Sequence, residues 1–341
     1  MVSSLHVPAP SPGTAPDAGA PPPVVTAEPG ADPGAWSAGR RAGLRAALLE
    51  YGAVLVRGLG LREAGQVAAV AAGLAAEPVP EREAFAPRRT YRPGVYSSAV
   101  WPPNQPMCMH HELSYALGFP GLLLIACLVP PERGGETGTA DAADVLAALP
   151  PEVVRRFEER GWLLTRTYGG DIGATVTESF GTDDRAVVEA YCRGHAIDCA
   201  WEPDGTLRTR QRRPAVVRHP ADGRRSWCNQ IAFLSSWTLD PELREYLVDV
   251  YGPESLPFDT RYGDGRPVEA GTVELINEVY AAHTARHRWA AGDLLLVDNV
   301  RTAHSREPYE GPRELVLAMA DPVSPALSAP PAGPSGEVGP S

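Results

Sequence analysis

Two histidines and one glutamate, far apart along the chain, carry the chemistry this sequence can do. Met109-His110-His111-Glu112 holds a His-x-Glu step, and His304 lies far downstream with Arg313 shortly after it. Two imidazoles and one carboxylate on one ion leave open coordination positions, the donor set of non-haem iron(II) oxygenases. Zinc hydrolases use the same donor types. A guanidinium beside such a centre binds a carboxylate through two parallel hydrogen bonds. In an extended segment alternate side chains share a face, so His110 and Glu112 point together while His111 points away into a structural role. Downstream, Leu294-Leu295-Leu296-Val297 is an apolar strand, Glu307 to Pro312 is a turn, and Arg313 opens the next strand. A hairpin-like return is therefore expected to put His304 and Arg313 on neighbouring strands.

Other short motifs fall in a fixed order around these residues: His110-His111-Glu112-Leu113-Ser114-Tyr115, Gly134-Gly135-Glu136-Thr137 with Asp141, Trp227-Cys228-Asn229-Gln230, and Asp298-Asn299 through His304 to Gly311-Pro312-Arg313. As an ordered set they resemble the taurine dioxygenase (TauD/TfdA-like) family of Fe(II)/2-oxoglutarate-dependent oxygenases. Within it, the resemblance is to the clavaminate-synthase-like and syringomycin-type β-hydroxylase subgroup. It covers roughly Arg57 to Pro322. It implies that His110, Glu112 and His304 are the catalytic ligands of Fe(II), and that Thr137 and Arg313 bind the distal carboxylate of 2-oxoglutarate, with O2 as second co-substrate. The implied fold is mainly β with flanking helices, around a double-stranded β-helix (a jelly-roll, cupin-like core). Cys228 departs from the subgroup, where an aromatic is commoner.

The implied reaction is hydroxylation of an aliphatic carbon of an amino acid, free or tethered to a carrier protein, in natural-product (antibiotic) biosynthesis. Glu112 favours hydroxylation, because a related halogenase needs a small residue there to leave room for chloride. Desaturation or cyclisation with the same cofactors is the alternative outcome. From other classes, a zinc hydrolase and a non-catalytic small-acid-binding barrel remain open, although the zinc reading leaves Thr137 and Arg313 without a task. Asn229 and Gln230, in a β-like stretch, are candidates to bind co-substrate or substrate. Ser114 and Tyr115, next to the metal motif, and Arg166 and Glu178, near the expected entrance, are candidate substrate contacts. Arg301 and Arg306 flank His304 and could reach a carboxylate.

These residues need a scaffold, and the hydrophobic periodicity supplies one. Helical spacing runs from Trp36 to Tyr51, from about Leu61 to Leu74, and over Asp141–Leu149, Glu152–Arg160, Asp183–Cys192, Pro241–Tyr251 and Val273–His287. Strands are expected at Ala53–Arg57, Leu122–Leu128, Trp162–Tyr168, Leu207–Arg210, Ala215–Arg218, Ser226–Asn229, Leu294–Val297, near Thr302–His304, and at Glu314–Met319. Helices in front and short strands behind suggest a barrel or sandwich with packed helices. Residues 1–33 and 323–341, rich in Pro, Ala and Gly, read as disordered tails around one oxygenase domain at 34–322.

A formal net charge of −11 argues against a phosphate-backbone partner. No apolar run approaches the roughly 20 residues of a membrane span, and no secretory signal is visible, so a cytoplasmic enzyme with a small-molecule substrate is expected. Five cysteines, an odd number with no CxxC pair, read as free thiols.

Overall fold

The computed structural model describes residues 19–169 and 172–326. Its core is a jelly roll, two sheets facing one another, with helices packed outside the larger. Among the described residues the large sheet has seven strands, in the order Val24–Thr26, Ala53–Arg57, Leu294–Asp298, Phe119–Val129, Glu314–Val323, Val95–Ser97 and Thr90–Arg92. The small sheet runs Ala285–His287, Thr137–Asp141, Thr302–Arg306, Met107–His110.

The central strands of the large sheet are apolar through their middles, with charges only toward their ends, because both faces are covered. Ala53, Leu55, Leu123, Ile125, Leu295, Val297, Leu315 and Leu317 face the interior of the roll. Val54, Val56, Leu122, Leu124, Leu294, Leu296 and Val316 pack under the helices Pro33–Tyr51 and Ala64–Gly73. Period-2 side-chain alternation thus divides each strand between two cores. Each fully buried aliphatic side chain contributes roughly 1.5–3 kcal/mol. The first helix starts at Asp32, whose carboxylate caps the Ala35 amide at 2.7 Å, and stops at Gly52, where φ is +75°. A β-carbon at Gly52 would collide with the Thr302 hydroxyl.

A third, side sheet carries Ile197–Trp201, Leu207–Arg213, Trp162–Tyr168 and Phe258–Tyr262. Its strand Leu207–Arg213 sends Thr209, Gln211 and Arg213 inward. Gln211 Nε2 donates to the Tyr115 carbonyl (2.8 Å) and to Glu83 (2.7 Å), and Arg213 Nε donates to the Tyr115 carbonyl (2.7 Å). The side sheet therefore pins the chain just after the His-x-Glu step.

Several expectations need correction. Val24–Thr26 pairs in parallel with Leu55–Arg57 and belongs to the fold, and the first helix begins at Pro33, so the ordered domain starts well before residue 34. Residues 1–18 and 327–341, also expected as tail, lie outside the described residues. The helix expected to reach His287 ends at Ala282, and Ala285–His287 becomes a strand beside Thr137–Thr139. His304 and Arg313 are not on neighbouring strands: Thr302–Arg306 lies in the small sheet, whereas Glu314–Val323, which Arg313 precedes, lies in the large one. They meet across the roll, because the turn between them changes sheets. The cysteines are free, as the sequence suggested, and no helix among the described residues is long and apolar enough to cross a membrane.

Candidate metal centre

The strands Met107–His110 and Thr302–Arg306 are antiparallel neighbours, and their register sets His110 opposite His304. The two imidazole centroids lie 4.3 Å apart. The strand's ladder ends at His110. Glu112 shares a site with His110 while His111 turns to the Asn299 carbonyl, as alternation suggested, and the chain turns away at Leu113, φ +55°. Among the described residues, His110, Glu112 and His304 form a buried cluster whose donor atoms all lie within 4.8 Å of one another.

Asn299 builds the turn. Its Oδ1 accepts from the Glu112 amide (2.8 Å), its Nδ2 donates to the Glu112 carbonyl (2.9 Å) and the Pro120 carbonyl (2.7 Å), and its own carbonyl lies 2.7 Å from His111 Nδ1. His111 is therefore a buried strut, and burial lowers its pKa to about 4. His110 Nδ1 sits 2.8 Å from the Cys108 carbonyl, which can only accept, so the other ring nitrogen is left with its lone pair free. Burial lowers the pKa of His110, and burial with His110 and His111 nearby lowers that of His304 well below the ordinary imidazole value. Neutral imidazoles are the form that ligates a metal. Phe233 stacks on His110 with centroids 4.6 Å apart and fixes its ring.

Two small chambers meet at this cluster, both lined by Arg88, Ala99, Met107, His110 and Glu112. The inner chamber, about 70 Å³, adds Thr137, His304 and Arg313. Arg313 Nε is buried without a hydrogen-bond partner, and burial lowers its pKa to about 10, with Arg306 adding to the shift. An unpaired buried donor costs roughly 1–3 kcal/mol, and a bound carboxylate would relieve it. The Thr137 hydroxyl accepts from the Trp289 indole at 3.1 Å, which leaves its own proton to donate. His304 brings its Nε2 within 3.9 Å of Glu112. The three clustered donors fit a divalent ion, and the orphaned Arg313 nitrogen with the Thr137 hydroxyl fits a carboxylate beside it.

The outer chamber, about 90 Å³, is walled by Phe85, Trp101, Tyr115, Phe233, Leu234 and Phe258, with Glu81 at its edge. Arg88, which the sequence reading did not single out, stands between the two chambers. Its Nη2 lies 2.9 Å from Glu112 and its Nε 3.1 Å from Glu81. Burial works against its charge, but Glu112 and Glu81 outweigh burial and raise its pKa. No motif marks it, because a lone Arg in a loop becomes informative only when the fold buries it beside carboxylates.

Other candidates are placed elsewhere. Asn229 donates to the Ala215 carbonyl (3.0 Å) and accepts from the Ile231 amide (3.0 Å), so its amide is consumed by backbone and reaches neither chamber. Gln230 touches the outer chamber, but its Nε2 is committed to the His111 carbonyl at 2.5 Å. Ser114 is buried away from both chambers, with its hydroxyl unpaired. Tyr115 does wall the outer chamber, though its hydroxyl donates to the Glu83 carbonyl (3.0 Å). Arg166 grips the Glu83 and Ala84 carbonyls (2.7 and 2.8 Å) and covers the Phe85 ring at 3.7 Å, so it positions a wall residue without facing the cavity. Glu178 closes a capping box with Thr175 at the start of a short helix and is a helix cap, not an entrance residue. Arg301 is bound to Asp141 (2.7 Å) and the Leu49 carbonyl, whereas Arg306 does line the inner chamber beside Arg313, its Nε buried without a partner and its terminal nitrogens on the carbonyls of Trp101, Pro102 and Gln105.

With this arrangement in place, comparison with known proteins is decisive. Residues 16–319 match the model of the taurine catabolism dioxygenase TauD, TfdA family. The chain belongs to the TauD/TfdA family. It is 33% identical over 279 residues to the dapdiamide synthesis protein DdaC of Enterobacter agglomerans, covering 82% of this chain and 85% of that protein. It is 28% identical over 287 residues to a clavaminate synthase-like protein of Arabidopsis thaliana, covering 80% and 82%. A crystal structure of a putative α-ketoglutarate-dependent taurine dioxygenase from Burkholderia xenovorans superimposes with a TM-score of 0.50 at 19% identity, covering 89% of each chain. As a member of the TauD/TfdA family, the protein is a 2-oxoglutarate-dependent non-haem iron dioxygenase, with Fe(II) and 2-oxoglutarate as its cofactor set.

Proposed function

We propose that this dioxygenase hydroxylates an aliphatic carbon of an amino-acid substrate, free or presented as an aminoacyl group on a carrier protein, in natural-product biosynthesis. The observation that carries the reading is the junction of two chambers at His110, Glu112 and His304, one lined by Thr137 and Arg313 and the other by aromatic side chains. In this reading His110, Glu112 and His304 hold Fe(II), while Arg313 and the Thr137 hydroxyl take the distal carboxylate of 2-oxoglutarate. Iron(II) with 2-oxoglutarate and O2 supplies an oxidant for an unactivated C–H bond, with succinate and CO2 as by-products. Phe85, Trp101, Phe233 and Phe258 keep water from the outer chamber and present one carbon of the substrate to the centre. The Glu112 carboxylate occupies the place a halide would need, which favours oxygen insertion. Similarity to a dapdiamide synthesis protein supports a biosynthetic setting.

Anaerobic titration with Fe(II) and 2-oxoglutarate tests the site: a weak visible charge-transfer band is expected, and a zinc hydrolase would give none. An amino-acid screen scored by mass tests the reaction. A gain of one oxygen supports hydroxylation, whereas loss of two hydrogens would replace it with desaturation or cyclisation.

A further inference from the structure

The outer chamber holds one charge pair beyond the proposed iron ligands. Of its polar lining groups, the Tyr115 hydroxyl is spent on the Glu83 carbonyl and Gln230 Nε2 on the His111 carbonyl. Glu81 and Arg88 remain. Arg88 is 9% exposed, and its Nη1 is buried with no hydrogen-bond partner. Its other nitrogens face Glu81 at 3.1 Å and Glu112 at 2.9 Å. Two carboxylates already hold the guanidinium, and the idle Nη1 is the one donor left for a further oxygen acceptor.

Glu81 complements it. The Glu81 backbone is tied at its amide to the Tyr96 hydroxyl (2.8 Å), which fixes the side chain at the chamber's edge. Arg88 is its charged partner, and the Glu81 side chain stays 14% exposed. The chamber's volume of about 90 Å³ is close to the 70 Å³ of the chamber assigned above to a five-carbon diacid.

We infer that Arg88 and Glu81 are a recognition pair for a zwitterion: Arg88 Nη1 takes the substrate's carboxylate and Glu81 its ammonium. The substrate is then a free amino acid, since an aminoacyl thioester has no carboxylate to offer. This inference rests on the amino-acid reading of the proposed function and narrows it.

The test is calorimetric titration of the anaerobic Fe(II)/2-oxoglutarate protein with the twenty L-amino acids, followed by the carboxamide and N-acetyl derivatives of those that bind. At least one free amino acid is expected to bind and to perturb the visible band. Its carboxamide and its N-acetyl derivative should each bind at least about tenfold more weakly. Arg88→Met should abolish the preference for acid over amide, and Glu81→Gln the preference for free over acetylated amine. The wild-type derivative series stands even if Arg88→Met fails to fold. No binding by any free amino acid, equal binding of acid and amide, or tighter binding of the N-acetylcysteamine aminoacyl thioester would overturn the pair. Product mass reads hydroxylation separately, so recognition and reaction can fail independently.

Discussion

Thr137 shows how much a single hydroxyl is asked to do. It accepts from the Trp289 indole at 3.1 Å and borders the chamber with Arg313. With a lone pair engaged by Trp289, its proton is left to donate to the space proposed for 2-oxoglutarate. Thr137→Val keeps the shape and removes both bonds. It should raise KM for 2-oxoglutarate by about tenfold, equivalent to ~1.4 kcal/mol, with little change in kcat. Steady-state kinetics at saturating primary substrate measure it, and an unchanged KM would remove Thr137 from the co-substrate site. At Glu112 the stakes are higher. Glu112→Ala should remain folded but lose turnover by more than about 100-fold, since even outer partners of a metal ligand cost 10–100-fold. Iron titration beside circular dichroism decides it, and full activity would refute its role as ligand.

At the scale of elements, the site depends on a strand that ends at His110, two residues before Glu112. The turn His111–Ser114 is held by Asn299, which supplies an acceptor to the Glu112 amide and donors to the carbonyls of Glu112 and Pro120. Asn299→Ala leaves these buried backbone groups unpaired. The expected loss is roughly 2–4 kcal/mol of stability, at about 1–3 kcal/mol per orphaned group with some relaxation. Metal affinity should also fall 10–100-fold. Urea unfolding of the metal-free protein and a separate iron titration distinguish the two effects; stability and affinity both at wild-type levels would mean that Asn299 is dispensable to the turn. The His-x-Glu spacing puts His110 and Glu112 on one side and His111 on the other, and the bonds to Asn299 hold that arrangement past the end of the strand.

Over the whole molecule, one contact couples the site's scaffold to pH. His219 Nε2 lies 2.8 Å from Asp298, next to Asn299, and Asp222 is 3.3 Å from Nδ1. The Asp298 hydrogen bond raises the His219 pKa above 6.5 against the opposing effect of burial. A raised imidazole pKa stabilises the fold fully below the unfolded value, and that contribution fades as pH climbs through the folded value. His219→Gln should therefore be less stable than the parent at about pH 6, and the gap should narrow by about pH 9. Chemical denaturation at both values measures it, and a gap that is constant or widens would mean that His219 is not protonated in the fold.

Much of this molecule is legible in its sequence because local physics sets it. The apolar runs at Ala53–Arg57, Leu294–Asp298 and Phe119–Val129 read as strands covered on both faces, and they are. Their residue types, with the ordered His, Glu, Thr and Arg motifs, identify the family's chemistry. The strand Leu207–Arg213 was caught only in part, because its inward positions are Thr, Gln and Arg, paired with partners more than ninety positions away or on other strands. Long-range packing alone decided that Asn229 braces backbone, that Glu178 caps a helix, that Arg313 crosses the roll to face His304, and that an unmarked Arg88 sits between two carboxylates. Sequence carries the side-chain chemistry and the periodicity of each segment. Which buried charge meets which depends on sheet order and loop path, whose energies are summed over the whole fold.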